Sequence, residues 1–384
     1  MNTEFFLEMP EKDSTTGRER VLADFLAERM SGPGRSIEIQ EVPSMSECCP
    51  DGYEVPVNLF VKWGDPRVVF CTHLDTVPPY IAPSAEAMDN GDVRISGRGS
   101  CDAKGQIFAM WEACLELERR GCTGFGLLLL AGEETGSFGA KAFSAMDSSA
   151  TGQPDDRIVI VGEPTDNFIT SASKGTKSFK VTFKGEAFHS GYPQYGTSAV
   201  EMFGDFLNAL RSISFPKDEV LGETTWNIGK LASDNPQNIL SDLLTCRVYF
   251  RTTFESDEMV CNVMKNMAGQ DARLRFGRKR VQDGSDIVSK DVAEWQKRMS
   301  VEAFGGDSPT CYEVLQDFPS RPVSFGSDAP QLRCFSRKML CGPGSILVAH
   351  RDEEHILLSD IEKAVCNYVQ MYCDLTGSVL REKN

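Results

Sequence analysis

The 384-residue chain carries 56 acidic against 40 basic side chains, a formal net charge of −16. That balance argues against nucleic acid or anionic membrane as the main partner, and no apolar stretch approaches the length needed to span a bilayer. Apolar and charged fractions of 41% and 25% are those of a globular protein, here long enough for two domains or one large one. The stretch Met1 to Glu8 is acidic where a signal peptide would be basic, and it lacks a long apolar core. The 13 cysteines are odd in number and scattered, with no CxxC pair. Free thiols in a reducing cytoplasm are therefore expected.

An amphipathic helix is predicted around 21–27, and strands at 36–42, 57–62 and 68–72. The third strand, Val68-Val69-Phe70-Cys71-Thr72, runs straight into His73-Leu74-Asp75. A strand period of two puts His73 and Asp75 on one face, and Pro78-Pro79 halts any continuation because proline has no amide donor. A carboxylate behind an imidazole suits a metal ligand with its orienting partner, although a metal-free His–Asp hydrogen bond would read the same way. The glycine-rich segment 97–105 then leads into a helix over 106–118, which puts Asp102 at the turn. The fully apolar run 126–131, of the kind buried on both faces of a parallel sheet, ends in Gly132-Glu133-Glu134. A small helix follows around 139–146, then a buried strand 157–161 that ends in Gly162-Glu163-Pro164. Alternating strands and helices predict an α/β sheet, mostly parallel, with ligands outside the C-terminal strand ends.

The pattern changes after Ser171. Strands are predicted at 178–184, 226–232, 244–252 and 272–276, with helices at 198–213 and 257–267. This β-α-β-β-α-β order is the ferredoxin-like arrangement. It predicts an inserted domain over 172–282, with residues 1–171 and 283–384 forming the discontinuous main domain. A helix over 288–304 and a strand over 308–314 come next. The segments 324–330 and 338–344 follow, then Ala349-His350-Arg351-Asp352-Glu353-Glu354-His355 and a closing helix over 359–375.

The candidate metal ligands are His73, Asp102, Glu134, Glu163 and His350, with Glu133 beside them. Two histidines and three carboxylates suit a pair of borderline divalent ions, zinc or cobalt, with one carboxylate bridging. Such a pair activates water and polarises a carbonyl, and a free carboxylate within reach of that water can act as its base. Each residue has a plainer reading too. The Glu-Glu pair could be solvated, Asp102 could be a helix N-cap, and Glu163 could be a turn residue. Against that, charges placed directly after fully apolar strands are costly to bury without a partner.

The pieces THLDTVP, GRGSCDAKG, GEETGS, GEPT, AFHSG, NILSDLLTCRVYFR, FGSDAP and GPGSILVAH run across nearly the whole chain. Together they resemble the M20 family of metallopeptidases and deacylases, which includes acetylornithine deacetylase and succinyl-diaminopimelate desuccinylase. The resemblance implies two zinc (or cobalt) ions. It makes Asp102 the bridge, gives His73 and Glu163 to one ion and Glu134 and His350 to the other, and leaves His355 out. It makes Glu133 the general base and Asp75 the residue that orients His73. The inserted domain becomes a lid that also forms a homodimer. His189 becomes an oxyanion donor reaching the partner subunit's site, while Asn238 and Arg251 hold the substrate carboxylate. Ser241 stands where the family often has proline, so the loop after Asn238 is expected to differ in shape. The implied reaction is hydrolysis of an N-acyl amino acid by a cytoplasmic enzyme, most like N-acetylornithine deacetylation. Glu163 and the FGSDAP and GPGSILVAH segments lean that way. The alternatives are a dipeptidase or carboxypeptidase, a succinyl-diaminopimelate desuccinylase, and a non-catalytic dimeric binding module.

Overall fold

The apolar runs Val68–His73 and Phe125–Leu130 form neighbouring parallel strands, and every residue of both is buried. In the computed structural model, which describes residues 1–151, 155–268 and 298–378, they lie at the middle of a six-stranded sheet. Its order is Ser36–Glu41, Val57–Trp63, Phe125–Leu130, Val68–His73, Asp155–Val161, Phe335–Leu340. The last four strands are mutually parallel and the first two antiparallel, so the sheet is mixed. One cause is the link between Val57–Trp63 and Val68–His73, residues 64–67. It is far too short for the crossover that parallel strands need.

The pleat sorts the core. Val68 and Phe70 share a cluster with Leu127 and Leu129, against the helices Lys104–Arg119 and Leu358–Thr376. Phe70 meets Tyr368 edge-on with ring centroids 5.6 Å apart, and Phe125 meets Tyr372 at the same distance. Elsewhere along this sheet Phe143, from the helix Phe138–Thr151, meets Phe60 edge-on and stacks on Phe335. No helix among the described residues is long and apolar enough to cross a membrane.

The chain divides into two units. The first holds this sheet and comprises Met1–Ser171, Cys311–Arg321 and Ser327–Asn384; the second comprises Ala172–Thr310 and Pro322–Gly326. The second unit has a four-stranded antiparallel sheet in the order Thr225–Ala232, Leu243–Thr252, Gly175–Lys184, Met299–Ala303. The helices Ala199–Ser212 and Asp257–Ala268 pack on it through Met202, Phe206, Leu210, Val260 and Met264. Among the described residues this unit's elements run β-α-β-β-α-β, with the last described strand falling where a helix over 288–304 was expected. Met299 and Val301 turn to the core while Ser300 and Glu302 stay exposed, and pairing with Gly175–Lys184 covers an edge otherwise left open. The unit thus runs beyond residue 282, the boundary expected from the sequence. The predicted strand 272–276 and residues 288–297 lie outside the described residues.

Phe70 is fully buried at the centre of the first core. Phe70→Ala should cost about 3–5 kcal/mol, read as a lower denaturant midpoint at unchanged slope.

Candidate metal centre

All four parallel strands deliver ionisable groups from the same end of the sheet. Val68–His73 ends on His73 itself, Phe125–Leu130 leads to Glu133 and Glu134, and Asp155–Val161 leads to Glu163. Phe335–Leu340 leads through Gly342-Pro343-Gly344 to His350, and Asp102 arrives from the turn before Lys104–Arg119. The ligand atoms of His73, Asp102 and Glu163 all lie within 4.8 Å of one another, as do those of Asp102, Glu134 and His350. Asp102 belongs to both triads. Its Oδ1 is 3.0 Å from His73 Nε2 and its Oδ2 is 3.2 Å from His350 Nε2, so its two oxygens face different histidines. A third triad of His73, Glu133 and Glu134 places Glu133 at the same cluster.

Local backbone chemistry explains these positions. His73 Nδ1 is 2.9 Å from the Asp75 carbonyl oxygen and 3.5 Å from its carboxylate. A carbonyl can only accept, so Nδ1 carries a proton, and in the neutral ring this leaves the Nε2 lone pair for a metal. The nearer orienting group is thus the backbone of Asp75 rather than its side chain. The buried Asp75 carboxylate also accepts the backbone N–H groups of Glu133 and Glu134, at 3.0 and 3.1 Å, and the Thr16 hydroxyl at 3.0 Å. It thereby ties the His73 loop to the glutamate pair. Gly132 enters that turn at φ +71°, a left-handed conformation that favours glycine, and a Cβ there would also crowd Met45. Asp102 is not a helix cap. The N-cap of Lys104–Arg119 is Ala103, with no side-chain cap bond, and the Asp102 carboxylate is turned to the two imidazoles.

The electrostatics are those of crowded buried acids. Burial drives Glu133 and Glu163 well above the usual carboxylate range, helped by Asp328 at Glu133 and by Asp102 at Glu163. Burial also raises Glu134. At Asp102 burial pushes upward as well, but hydrogen bonds from His350 and His73 outweigh it and leave this group lowered. Those with Asp102 and Glu134 push His350 up to about 10. At His73 burial is the largest effect and acts downward, but hydrogen bonds with Asp102 and Asp75, joined by the charges of Asp102 and Glu163, together outweigh it and raise the pKa well above its ordinary value. Without metal, imidazolium groups supply the missing positive charge. Ionised Asp102, Glu133, Glu134 and Glu163 together carry −4, which two divalent ions balance with both histidines neutral. The N/O donor set also fits a borderline divalent cation.

The remaining candidates belong to the second unit. His189 is exposed, and its Nδ1 accepts the Gly191 N–H at 3.0 Å. That bond leaves the ring proton of the neutral imidazole on Nε2 as a donor. The neighbouring Ser190 N–H bonds the Asn238 carbonyl oxygen at 2.9 Å. The Arg251 guanidinium lies over the Tyr249 ring, 5.1 Å from its centroid. His355 is outside every triad, in a strand paired with Val93–Ser96, where it bonds Arg94. Sequence reasoning gave no role to Asp328, which lies in FGSDAP. It is 2% exposed, and neither carboxylate oxygen has a hydrogen-bond partner of normal geometry, although the Ser137 hydroxyl stabilises its charge. Burial, the largest effect, pushes it to about 7.

Residues 69–373 match the profile described as Peptidase family M20/M25/M40. A probable carboxypeptidase of Aspergillus terreus is 33% identical over 95% of this chain and 84% of its own length. A tripeptidase of Staphylococcus aureus has a similar structure, with a TM-score of 0.73, 18% identity and 98% of each chain covered. A Bacillus subtilis protein described as a dinuclear metal binding peptidase from the M20 family has a TM-score of 0.61, 11% identity and 98% of each chain covered.

In metal-free protein, His350, Glu133 and Glu163 act in one direction. With raised pKa values the folded state holds more protons than the unfolded, so stability falls as pH rises. The His350 contribution is complete below 6.5 and lost above about 10. Asp102, being lowered, acts oppositely, but only below its ordinary 3.8. Chelator-treated protein should melt at a lower temperature at about pH 9 than at about pH 6. Zinc binding at neutral pH should release protons, seen as a buffer-dependent calorimetric enthalpy. Glu133→Ala should keep its metal while turnover falls by about 10²–10⁴-fold. His350→Ala should lower the bound metal measured by elemental analysis, and His355→Ala should not.

Proposed function

Because the chain belongs to peptidase family M20/M25/M40, we propose that it hydrolyses an amide whose nitrogen comes from an amino acid with a free α-carboxylate, releasing that amino acid. The C-terminal residue of a short peptide and an N-acyl amino acid both fit this class. The observation that carries the reading is the pair of ligand triads sharing Asp102, with Glu133 at the same cluster. One ion, zinc or alternatively cobalt, would be held by His73, Asp102 and Glu163, and a second by Asp102, Glu134 and His350. Bound there, the ions would polarise the scissile carbonyl and acidify a water.

The chain's own residues supply the rest. Glu133 takes a proton from the attacking water onto its carboxylate and passes it to the leaving nitrogen. Asp75 fixes the backbone of Glu133 and the ring of His73. Arg251 pairs with the substrate α-carboxylate as a planar donor fork, assisted by Asn238. The His189 Nε2–H donates to the carbonyl oxygen as charge develops, and it does so in the partner subunit's site of a homodimer formed through the second unit.

Likeness to the probable carboxypeptidase of Aspergillus terreus over 95% of the chain supports peptide C-terminal residues as substrates. Glu163 and the FGSDAP and GPGSILVAH segments support an acyl amino acid such as N-acetylornithine. The test is hydrolysis by zinc- or cobalt-loaded protein of dipeptides, N-acetylornithine, N-acetylcitrulline and N-succinyl-diaminopimelate, with chelator controls. Chelator-sensitive release of the carboxylate-bearing amino acid is expected, with loss of turnover when that carboxylate is amidated. Cleavage indifferent to amidation would sink the proposed class. Failure to cleave any of these compounds would favour the non-catalytic binding role.

A further inference from the structure

Glu354 stands at i+4 from His350, in a charged run that suggests a solvated loop, yet its side chain is wholly buried. Its Oε1 accepts three backbone N–H groups, from Gly99 at 2.9 Å, Cys101 at 3.1 Å and Asp102 at 3.1 Å. Its Oε2 accepts from Arg98 Nη1 at 2.6 Å, and Arg98 is itself only 2% exposed. Arg98 also donates to the backbone carbonyls of Arg351 at 3.1 Å and Pro79 at 3.2 Å. The Glu354 carbonyl oxygen closes the set by accepting the Gly97 N–H at 3.0 Å.

A buried ion pair is weak evidence of stability, because desolvation offsets the attraction. What this pair joins is more informative. It binds residues 97–102, which end in Asp102, to residues 350–354, which begin with His350. Through Arg98 it also reaches Pro79, shortly after His73 and Asp75. Neither Glu354 nor Arg98 belongs to a ligand triad. The N–H of Asp102 is itself one of the bonds, so displacing the Glu354 carboxylate releases the backbone of the shared ligand.

We propose that Glu354 is a positioning residue for the metal pair, holding Asp102 and His350 in register so that two ions bind as a unit. This rests on the two-ion reading of the site. A glutamine here keeps one acceptor oxygen but turns an N–H₂ group toward N–H donors, so one of the two arms must fail.

The experiment strips wild type and Glu354→Gln of metal and titrates each with zinc against a chromophoric chelator. Cobalt absorption spectra and a thermal melt of each metal-free protein accompany the titration. Wild type should take up two equivalents. The variant should lose about 10–100-fold in affinity for at least one and show shifted cobalt bands, while its metal-free melt stays cooperative. A variant with wild-type affinity for both equivalents and an unchanged cobalt spectrum, having lost only thermal stability, would show a brace of the fold and overturn the proposal. Should Glu354→Gln fail to fold, Arg98→Lys decides by the same titration. It keeps the charge and withdraws the fork; weakened uptake supports the role, and wild-type uptake overturns it. Wild type that binds fewer than two equivalents would overturn the two-ion reading itself, a failure visible without any substitution.

Discussion

Four carboxylates and two imidazoles gathered at one end of an apolar sheet form the arrangement that the rest of the first unit must tolerate. Like charges this close, largely out of water, repel one another strongly and cannot all ionise without counter-charge. The raised pKa values of Glu133, Glu134 and Glu163 and the raised values of both histidines are two sides of that one fact. The groups stay together because each hangs from an element held elsewhere. Val68–His73 and Phe125–Leu130 are buried along their whole length, and the helix after Asp102 is clamped by aromatic and aliphatic packing. The core therefore works against the site, and divalent cations would remove that opposition. Folding and metal binding are coupled wherever ligands must be deprotonated and brought together.

Packing alone places strands, not carboxylate oxygens. The finer placement comes from buried acids whose hydrogen bonds run largely to backbone. Asp75 accepts the N–H groups of Glu133 and Glu134, and Glu354 accepts those of Gly99, Cys101 and Asp102. In each case a carboxylate outside the two Asp102-sharing triads draws the backbone of a ligand-bearing turn toward itself. Asn58 acts similarly without charge, accepting the Ala131 N–H at 3.1 Å and donating to the Gly139 carbonyl at 2.9 Å, on either side of the glutamate turn. Buried polar groups of this kind are tolerable only when satisfied.

This division of labour explains what could be read from the chain and what could not. His73, Glu133, Glu134 and Glu163 stand out because an unbroken apolar run stops abruptly on a charge, a local pattern with a physical cost. Asp102 and His350 follow from glycine-marked turns. Glu354 carries no such mark, since Arg351-Asp352-Glu353-Glu354 looks like any exposed charged loop and only the folded contact with Arg98 reveals its burial. Further partners of the Asp75 carboxylate were hidden likewise, being backbone donors about 60 residues away. Met299–Ala303 was misread because five residues are too few for a period to declare itself; its strand identity comes from the open edge of Gly175–Lys184. The mixed character of the main sheet came from a connection length, residues 64–67, rather than from any strand's composition.

On the proposed reading, reaction class and substrate class are encoded in different places. Hydrolysing an amide requires a water, a proton shuttle and charge to meet the carbonyl oxygen, and on that reading the groups around Asp102 would address only the C=O and the nitrogen. Nothing in that set distinguishes an acetyl group from an aminoacyl group, because both present the same carbonyl. The candidate for recognising the carboxylate, Arg251 beside Tyr249, belongs to the second unit, whose sheet and core are built independently of the first. A chain can keep every group of the first unit while its substrate preference drifts through substitutions in the second. Likeness across the whole chain accordingly supports a metal-dependent hydrolase and leaves its substrate open. If Arg251 binds the substrate carboxylate as proposed, it and its neighbours are where a change of preference should be sought.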